Sequence, residues 1–314
     1  MSGAASRILV IKLGALGDFI QAIGPMQAIR RHHRDARIVL LTTEPLRDLA
    51  RAIGVADEIW IDARGSLLDV PYWLELRRRL RARRFDRVYD LQTSDRSGWY
   101  FRLFGPGPRP EWSGIAPGAS HRHDNPARDR LHTIERQADQ LARAGITDVR
   151  PPEMAWVKAD VQRFELARPY ALIVPGGAPH RPEKRWPLER YADLVKALVA
   201  RRLKPVILGA PAEASLGHAL ASVSSEVRDL VGRTALEEIP ALARDAACAV
   251  GNDTGPMHLI AAMGCPAIVL FSHASDPALC APRGAAVAIL RSARLEDLAL
   301  EEVLAALPPR AFPA

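Results

Sequence analysis

The residues best suited to chemistry in this 314-residue chain lie in four glycine-bearing or acidic loops, each directly after a strand-like run. The first runs from Lys12 to Asp18, Lys-Leu-Gly-Ala-Leu-Gly-Asp, and opens a helical stretch. Gly14 and Gly17 permit tight backbone turns there. Asp18 reads in two ways. It is an N-cap, for which aspartate is favoured, or it is a general base taking a proton from an attacking hydroxyl, a role worth roughly 100- to 10,000-fold. Lys12 is either a solvated lysine at a strand end or a group that meets an anion. The Gly-x-x-Gly spacing is neither the dinucleotide fingerprint nor a Walker A loop.

The second loop, Pro175 to Pro187, carries His180, Arg181, Lys184 and Arg185 between a strand and a helix. It reads as a diphosphate site at a helix amino end or as a solvated basic turn, and Trp186 within it as a packing anchor. The third, Gly209 to Glu213, places a carboxylate just past a strand. Glu213 either accepts from ribose hydroxyls or complements a helix dipole. The fourth, Gly251 to His258, reads Gly-Asn-Asp-Thr-Gly-Pro-Met-His. Backbone N–H groups of Thr254, Gly255 and their neighbours would face a phosphate at a helix start. Asp253 would repel that phosphate and is better suited to holding the loop or a sugar hydroxyl. His258 is either a satisfied structural histidine or part of the site.

Positioning these loops requires strands that alternate with helices. Runs at 7–12, 36–41, 58–62 and 87–92 are strand-like and separated by helical stretches, and the pattern restarts at 170–177, 204–209, 246–252 and 266–271. Such alternation predicts parallel sheets covered by helices on both faces. The chain length fits two domains, expected at 1–160 and 161–314, with 150–168 as connector. Whether the last helix, about 296–307, packs on its own domain or on the first is left open. Residues 105–128, rich in Pro, Gly, His and Arg, read as one long loop.

Composition narrows the partners. A net charge of +7 suits phosphate, anionic lipid or nucleic acid, but no zinc-finger spacing or aromatic RNA-binding signature supports the last. Three cysteines with apolar neighbours are expected as free thiols in a reducing compartment. The polar Met1–Arg7 start and the short apolar runs predict neither a signal peptide nor a membrane span.

Taken together, the segments KLGALGD, EKRWP and GNDTGPMHLIAAMGCP, in this order and spacing, resemble glycosyltransferase family 9, the ADP-heptose:lipopolysaccharide heptosyltransferases. The resemblance covers Arg7 to about Phe271. It implies an α/β GT-B fold: two Rossmann-like domains with parallel sheets facing a central cleft, acceptor bound by the first and nucleotide sugar by the second. It implies inverting transfer without a metal or other cofactor, with Asp18 as base and Lys184 on the donor diphosphate. Glu213 would hold the donor nucleoside, and Asp253, Thr254, Gly255 and His258 match the donor motif. Lys12 and Gly17 are grouped with these donor-binding residues. The expected donor is ADP-heptose and the acceptor a lipid-linked glycan of the lipopolysaccharide core, handled in the cytoplasm at the inner face of the membrane. The basic stretch 76–85 is there either a membrane-touching helix or an ordinary solvated face. The family often continues after the strand ending at Phe271 with Gly-Pro-Thr, whereas this chain has Ser272-His273-Ala274-Ser275. Alternatives of other classes are a different GT-B transferase, a nucleotide-sugar epimerase, and a non-catalytic nucleotide-sugar binding protein. Trp112, His121, His123 and His132 fit no metal spacing, and structural or substrate contacts are expected of them.

Overall fold

The computed structural model describes residues 6–309, so the expectation about the first residues falls mostly outside it. The chain divides into two compact units at Trp156/Val157.

The first unit runs β1 (Arg7–Ile11), α1 (Leu16–Gln21), α2 (Ile23–His32), β2 (Arg37–Thr42), α3 (Arg47–Ile53), β3 (Glu58–Ile61), α4 (Val70–Ala82), β4 (Arg87–Asp90), α5 (Asp95–Leu103), β5 (Glu111–Gly114), β6 (His121–Arg122) and α6 (Thr133–Arg143). Its six strands are ordered β3-β2-β1-β4-β5-β6, with parallel pairing throughout. A strand covered on both faces must be apolar along its length: in β1 every residue after Arg7 is buried. α4 starts where Asp69 accepts from the Tyr72 N–H, with Pro71 in the first turn. α5 starts with a capping box between Ser94 and Ser97.

The region read as a loop, 105–128, contains β5 and β6. Trp112 on β5 is fully buried against Phe101 and Phe104, so tertiary packing makes strands of a segment whose Pro and Gly content hides them. The histidines of this stretch and just after it meet protein groups. His123 meets Asp139 at 2.8 Å, His121 lies 3.6 Å from Glu111, and His132 caps α6 by accepting from the Ile134 N–H.

The second unit repeats the plan: β7 (Tyr170–Val174), α7 (Leu188–Ala200), β8 (Lys204–Ile207), α8 (Ala214–Ala221), β9 (Arg228–Asp229), α9 (Glu238–Asp245), β10 (Cys248–Asn252), α10 (Gly255–Ala262), β11 (Ala267–Phe271), α11 (Pro277–Cys280), β12 (Val287–Arg291) and α12 (Leu300–Ala305). Its order, β12-β11-β10-β7-β8-β9, is the first sheet's order with the strands renamed. Trp186 is the expected anchor: it is buried, stacks edge-on with Tyr191 and donates from Nε1 to the Leu298 carbonyl at 3.1 Å. The last helix, left open by the sequence, packs on α7 and contributes Val303 to the core of this unit. Cys248 and Cys265 are buried, and burial pushes both thiols up to about 12, as befits packing residues.

Candidate active site

In sheets of this order the connections leave opposite ways from two central strands, and a crevice opens beyond their carboxyl ends. That point lies between β7 and β10 in the second unit and between β1 and β4 in the first. The four chemical loops are the loops after β1, β7, β8 and β10.

In the second unit one buried carboxamide joins the two central loops. Asn252 ends β10; its Nδ2 donates to the carbonyls of Pro175 (2.8 Å) and Gly176 (3.0 Å). Its Oδ1 accepts from the Trp186 N–H and the Tyr191 hydroxyl, both at 3.0 Å. The side chain is completely buried with both ends satisfied. Asn252 has no role among the expected site residues; the sequence signal that marks it is a carboxamide closing an otherwise apolar strand.

Glu213 is a second brace. Oε1 accepts from the Gly177 N–H and Oε2 from the Ala210 N–H, each at 2.8 Å. A Cβ at position 176 would lie 1.9 Å from Oε1, so the close approach of this carboxylate to the backbone requires glycine there. The carboxylate thus ties the loop after β7 to the loop after β8, a role neither sequence reading foresaw.

Lys184 closes a short 3-10 turn, Pro182–Lys184, and its Nζ lies 2.7 Å from Asp253 Oδ2. The same oxygen accepts from Ser275 Oγ at 2.6 Å. Asp253 therefore holds the loops together, as one of its two readings expected, and the unusual segment 272–275 supplies one of its partners. Thr254 is the N-cap of α10, and its Oγ1 donates to the Asn252 carbonyl at 3.2 Å. Gly255 begins the helix, and His258, one turn on, is buried. Arg185 donates to the Gly177 carbonyl at 2.6 Å. The unit thus brings Lys184, Asp253, Thr254 and Gly255 together, with Glu213 attached through Gly177. A lysine and the amino end of a helix converge here, and both favour bound anion.

In the first unit Asp18 is the third residue of α1 and is exposed. The N-cap position belongs to Ala15, with no side-chain capping bond, so the N-cap reading of Asp18 is corrected. The glycine loop, with Gly14 at φ +117°, puts the N-cap three residues ahead of Asp18, at Ala15. Lys12 is likewise not a solvated strand end. It is only 3% exposed, and its Nζ donates to the Leu91 carbonyl at 3.1 Å. Burial pushes its ammonium down to about 8, against the opposing pull of Asp18 and Asp90. Asp90, at the end of β4 and fully buried, is pushed up to about 6 by burial, opposed by hydrogen bonds from Thr93, Ser97 and Gln92 and by the Lys12 charge. Half-buried Arg136 on α6 is lowered by burial and by Arg128, with Asp18 among the groups opposing that shift. Asp18 thus stands in the field of two cations, Lys12 and Arg136. Gly17 precedes it in the first turn of α1.

The loop bearing Asp18 is clamped at Leu13. Its N–H donates to Gln92 Oε1 at 2.9 Å; its carbonyl accepts from Arg64 Nη2 at 2.7 Å and Thr43 Oγ1 at 3.3 Å. Arg64 is itself set by Asp62, whose buried carboxylate accepts from the Arg64 N–H, the Tyr72 hydroxyl and the Tyr100 hydroxyl. The clamp on Leu13 carries no local sequence signal, because Thr43, Arg64 and Gln92 come from the loops after three different strands.

The sequence model described as glycosyltransferase family 9 (heptosyltransferase) matches residues 73–303. Among curated proteins, the chain is similar to lipopolysaccharide heptosyltransferase 2 of Escherichia coli K12, 26% identical over 302 residues, 86% of this chain and 83% of that one. Among solved structures, it is similar to E. coli ADP-heptose lps heptosyltransferase II, with a TM-score of 0.78, 22% identity, and 96% and 97% of the two chains covered. It is also similar to E. coli heptosyltransferase WaaC with ADP, with a TM-score of 0.75, 21% identity, and 95% and 98% covered. These likenesses identify the two-sheet α/β architecture as GT-B.

Proposed function

Because this chain belongs to glycosyltransferase family 9, we propose that it moves a heptose from ADP-heptose to a hydroxyl of a lipopolysaccharide core or a related glycan. The transferase class follows from the family. The donor is supported by the E. coli relatives, one solved with ADP. The observation that carries the site assignment is the convergence of Lys184 and the amino end of α10 at the switch point of the second sheet.

In this reading the acceptor oxygen forms its bond to the anomeric carbon as the bond from that carbon to the diphosphate oxygen breaks. Attack from the face opposite the leaving group inverts the configuration. Asp18 takes the acceptor's proton, and its exposure leaves it open to a substrate hydroxyl. The departing diphosphate gains negative charge, which Lys184 and the N–H groups near Thr254 and Gly255 stabilise; such preorganised charge is often the largest catalytic contribution. Lys184 meets the diphosphate while still tethered by Asp253, and it supplies the positive charge that a metal ion contributes in other transferases. Glu213 faces the donor nucleoside with the lone pairs its two backbone bonds leave over. Lys12 acts through Asp18 rather than on the donor. The lipid-linked acceptor places the enzyme at the cytoplasmic face of a membrane; no helix among the described residues is long and apolar enough to cross one.

Asp18→Asn should keep ADP affinity and lose roughly 100- to 10,000-fold in turnover, while Lys184→Ala should weaken ADP binding as well. Calorimetric titration with ADP, beside steady-state turnover of ADP-heptose, measures both. Near-normal turnover in the Asn variant would remove the base assignment.

A further inference from the structure

Five large apolar side chains stand exposed among the described residues, and four of them fall within eight positions: Leu67 at 69%, Leu68 at 89%, Val70 at 60% and Leu74 at 62%. The fifth, Trp99 at 49%, lies on α5, which packs beside α4. Clustered exposure of this kind marks an interaction surface. The two leucines are presented by an ordered turn. The Asp69 and Leu68 N–H groups donate to the Ser66 carbonyl (3.0 Å) and Ser66 Oγ (3.3 Å), and Trp73 Nε1 donates to the same carbonyl at 3.1 Å.

The surface continues as a cationic one. Helical spacing puts positions 74, 78 and 81 on the side of α4 opposite its buried Leu76 and Leu80, with Val70 and Arg77 on its flanks. Between residues 77 and 84 stand Arg77, Arg78, Arg79, Arg81, Arg83 and Arg84, near Asp69 and Glu75 in sequence, and Arg83 pairs with Glu58 of β3 at 2.9 Å. Glu75 is taken up by Arg78, at 2.8 and 2.9 Å. Where the carboxyl half of α4 meets the edge strand β3, a cleft of about 300 Å³ is lined by Trp60, Arg78, Arg79, Ala82 and Arg83. Arg79 and Arg83 lie over the Trp60 ring, 4.7 and 5.7 Å from its centre.

We propose that the 67–84 surface docks on an anionic phospholipid bilayer: Leu67, Leu68, Val70 and Leu74 enter the interface, and the arginines of α4 meet headgroup phosphates, one seated in the Trp60 cleft. This deepens the reading of a lipid-linked acceptor and rests on it for its purpose. Apolar side chains beside a cationic stripe are the composition that interfacial binding requires. A second copy of the chain is the poorer occupant, because a two-fold contact sets a patch against itself and would bring arginines against arginines. The basic stretch read from the sequence is thus resolved differently in space: Leu76 and Leu80 face the core, and the lipid-facing residues lie ahead of them.

The test is flotation of the full chain with vesicles of phosphatidylcholine, with and without phosphatidylglycerol. The wild type should float with the anionic vesicles, less so as salt rises, and far less with the neutral ones. Leu67→Ser with Leu68→Ser, and separately Arg77→Glu with Arg81→Glu, should each lower the bound fraction at least about tenfold with unchanged circular dichroism and unfolding midpoint. The leucine variant should keep its turnover of a lipid-free glycan acceptor and lose turnover of the same glycan carried in vesicles. Equal flotation of variants and wild type, no flotation of the wild type, or a sedimentation dimer that the substitutions dissolve would each overturn the proposal. Flotation by a protein that transfers no sugar would sink the transfer reading and leave this one standing.

Discussion

Replacing Lys12 by methionine keeps the apolar stem and removes a buried charge, and the pH dependence of its effect can be worked out from the structure. The ammonium is 3% exposed and titrates at about 8 rather than 10.5, chiefly because burial strips its water. At 1.36 kcal/mol per unit, that depression corresponds to roughly 3 kcal/mol carried by the folded state while Lys12 is protonated. Below about pH 8 both folded and unfolded chains hold the proton, and the cost is present in full. Between about 8 and 10.5 the folded chain has released it and the unfolded chain has not. The unfolded state then binds more protons, so this group makes stability rise with pH. Subtracting the curve of Lys12→Met cancels every other group except neighbours coupled to the charge, chiefly Asp90, which titrates well below this window. Urea unfolding should therefore show the difference, variant minus wild type, falling by roughly 2–3 kcal/mol from about pH 7 to about pH 10. The hydrogen bond to Leu91 shifts that difference by a similar amount at both ends and leaves the slope intact. A difference constant across this range would mean that Lys12 titrates as a solvated lysine, and the burial argument would fail.

Two further substitutions probe the second unit. Asn252→Asp replaces a donor pair facing the Pro175 and Gly176 carbonyls by an acceptor; it should cost roughly 2–4 kcal/mol in urea unfolding and weaken ADP binding together, and an unchanged midpoint would refute the bracing role. Gly176→Ala places a methyl 1.9 Å from the Glu213 carboxylate and should lower the thermal midpoint by several degrees, on the order of 1–3 kcal/mol; Glu213→Ala in the same chain should recover part of that loss, and no recovery would show that the clash lies elsewhere.

The alternation of apolar strands with amphipathic helices was legible along the chain because each element's burial pattern is local: a doubly covered strand must be apolar throughout, and a helix shows its period within a few turns. The four loops were legible for a related reason. Their glycines, and the charged groups beside them, lie a few residues past a strand, and in a parallel sheet that position is the ligand end. What each group does there was decided by partners far away in sequence. Lys12 is buried because Leu91 and Asp90 come to it from β4 across 79 and 78 positions. Asp18 is displaced from the helix cap by the turn at Gly14. Asp253 is neutralised by Lys184, 69 residues earlier, and held by Ser275, 22 residues later. β5 and β6 exist because Trp112 finds Phe101 and Phe104 to pack against, although their own residues favour turns. The exposed leucines ahead of α4 are indistinguishable in sequence from the buried ones within it; which face meets solvent depends on the sheet the helix rests on. Propensity and period act over neighbouring residues and can be read from the chain, whereas desolvation and charge pairing depend on the distances that folding creates.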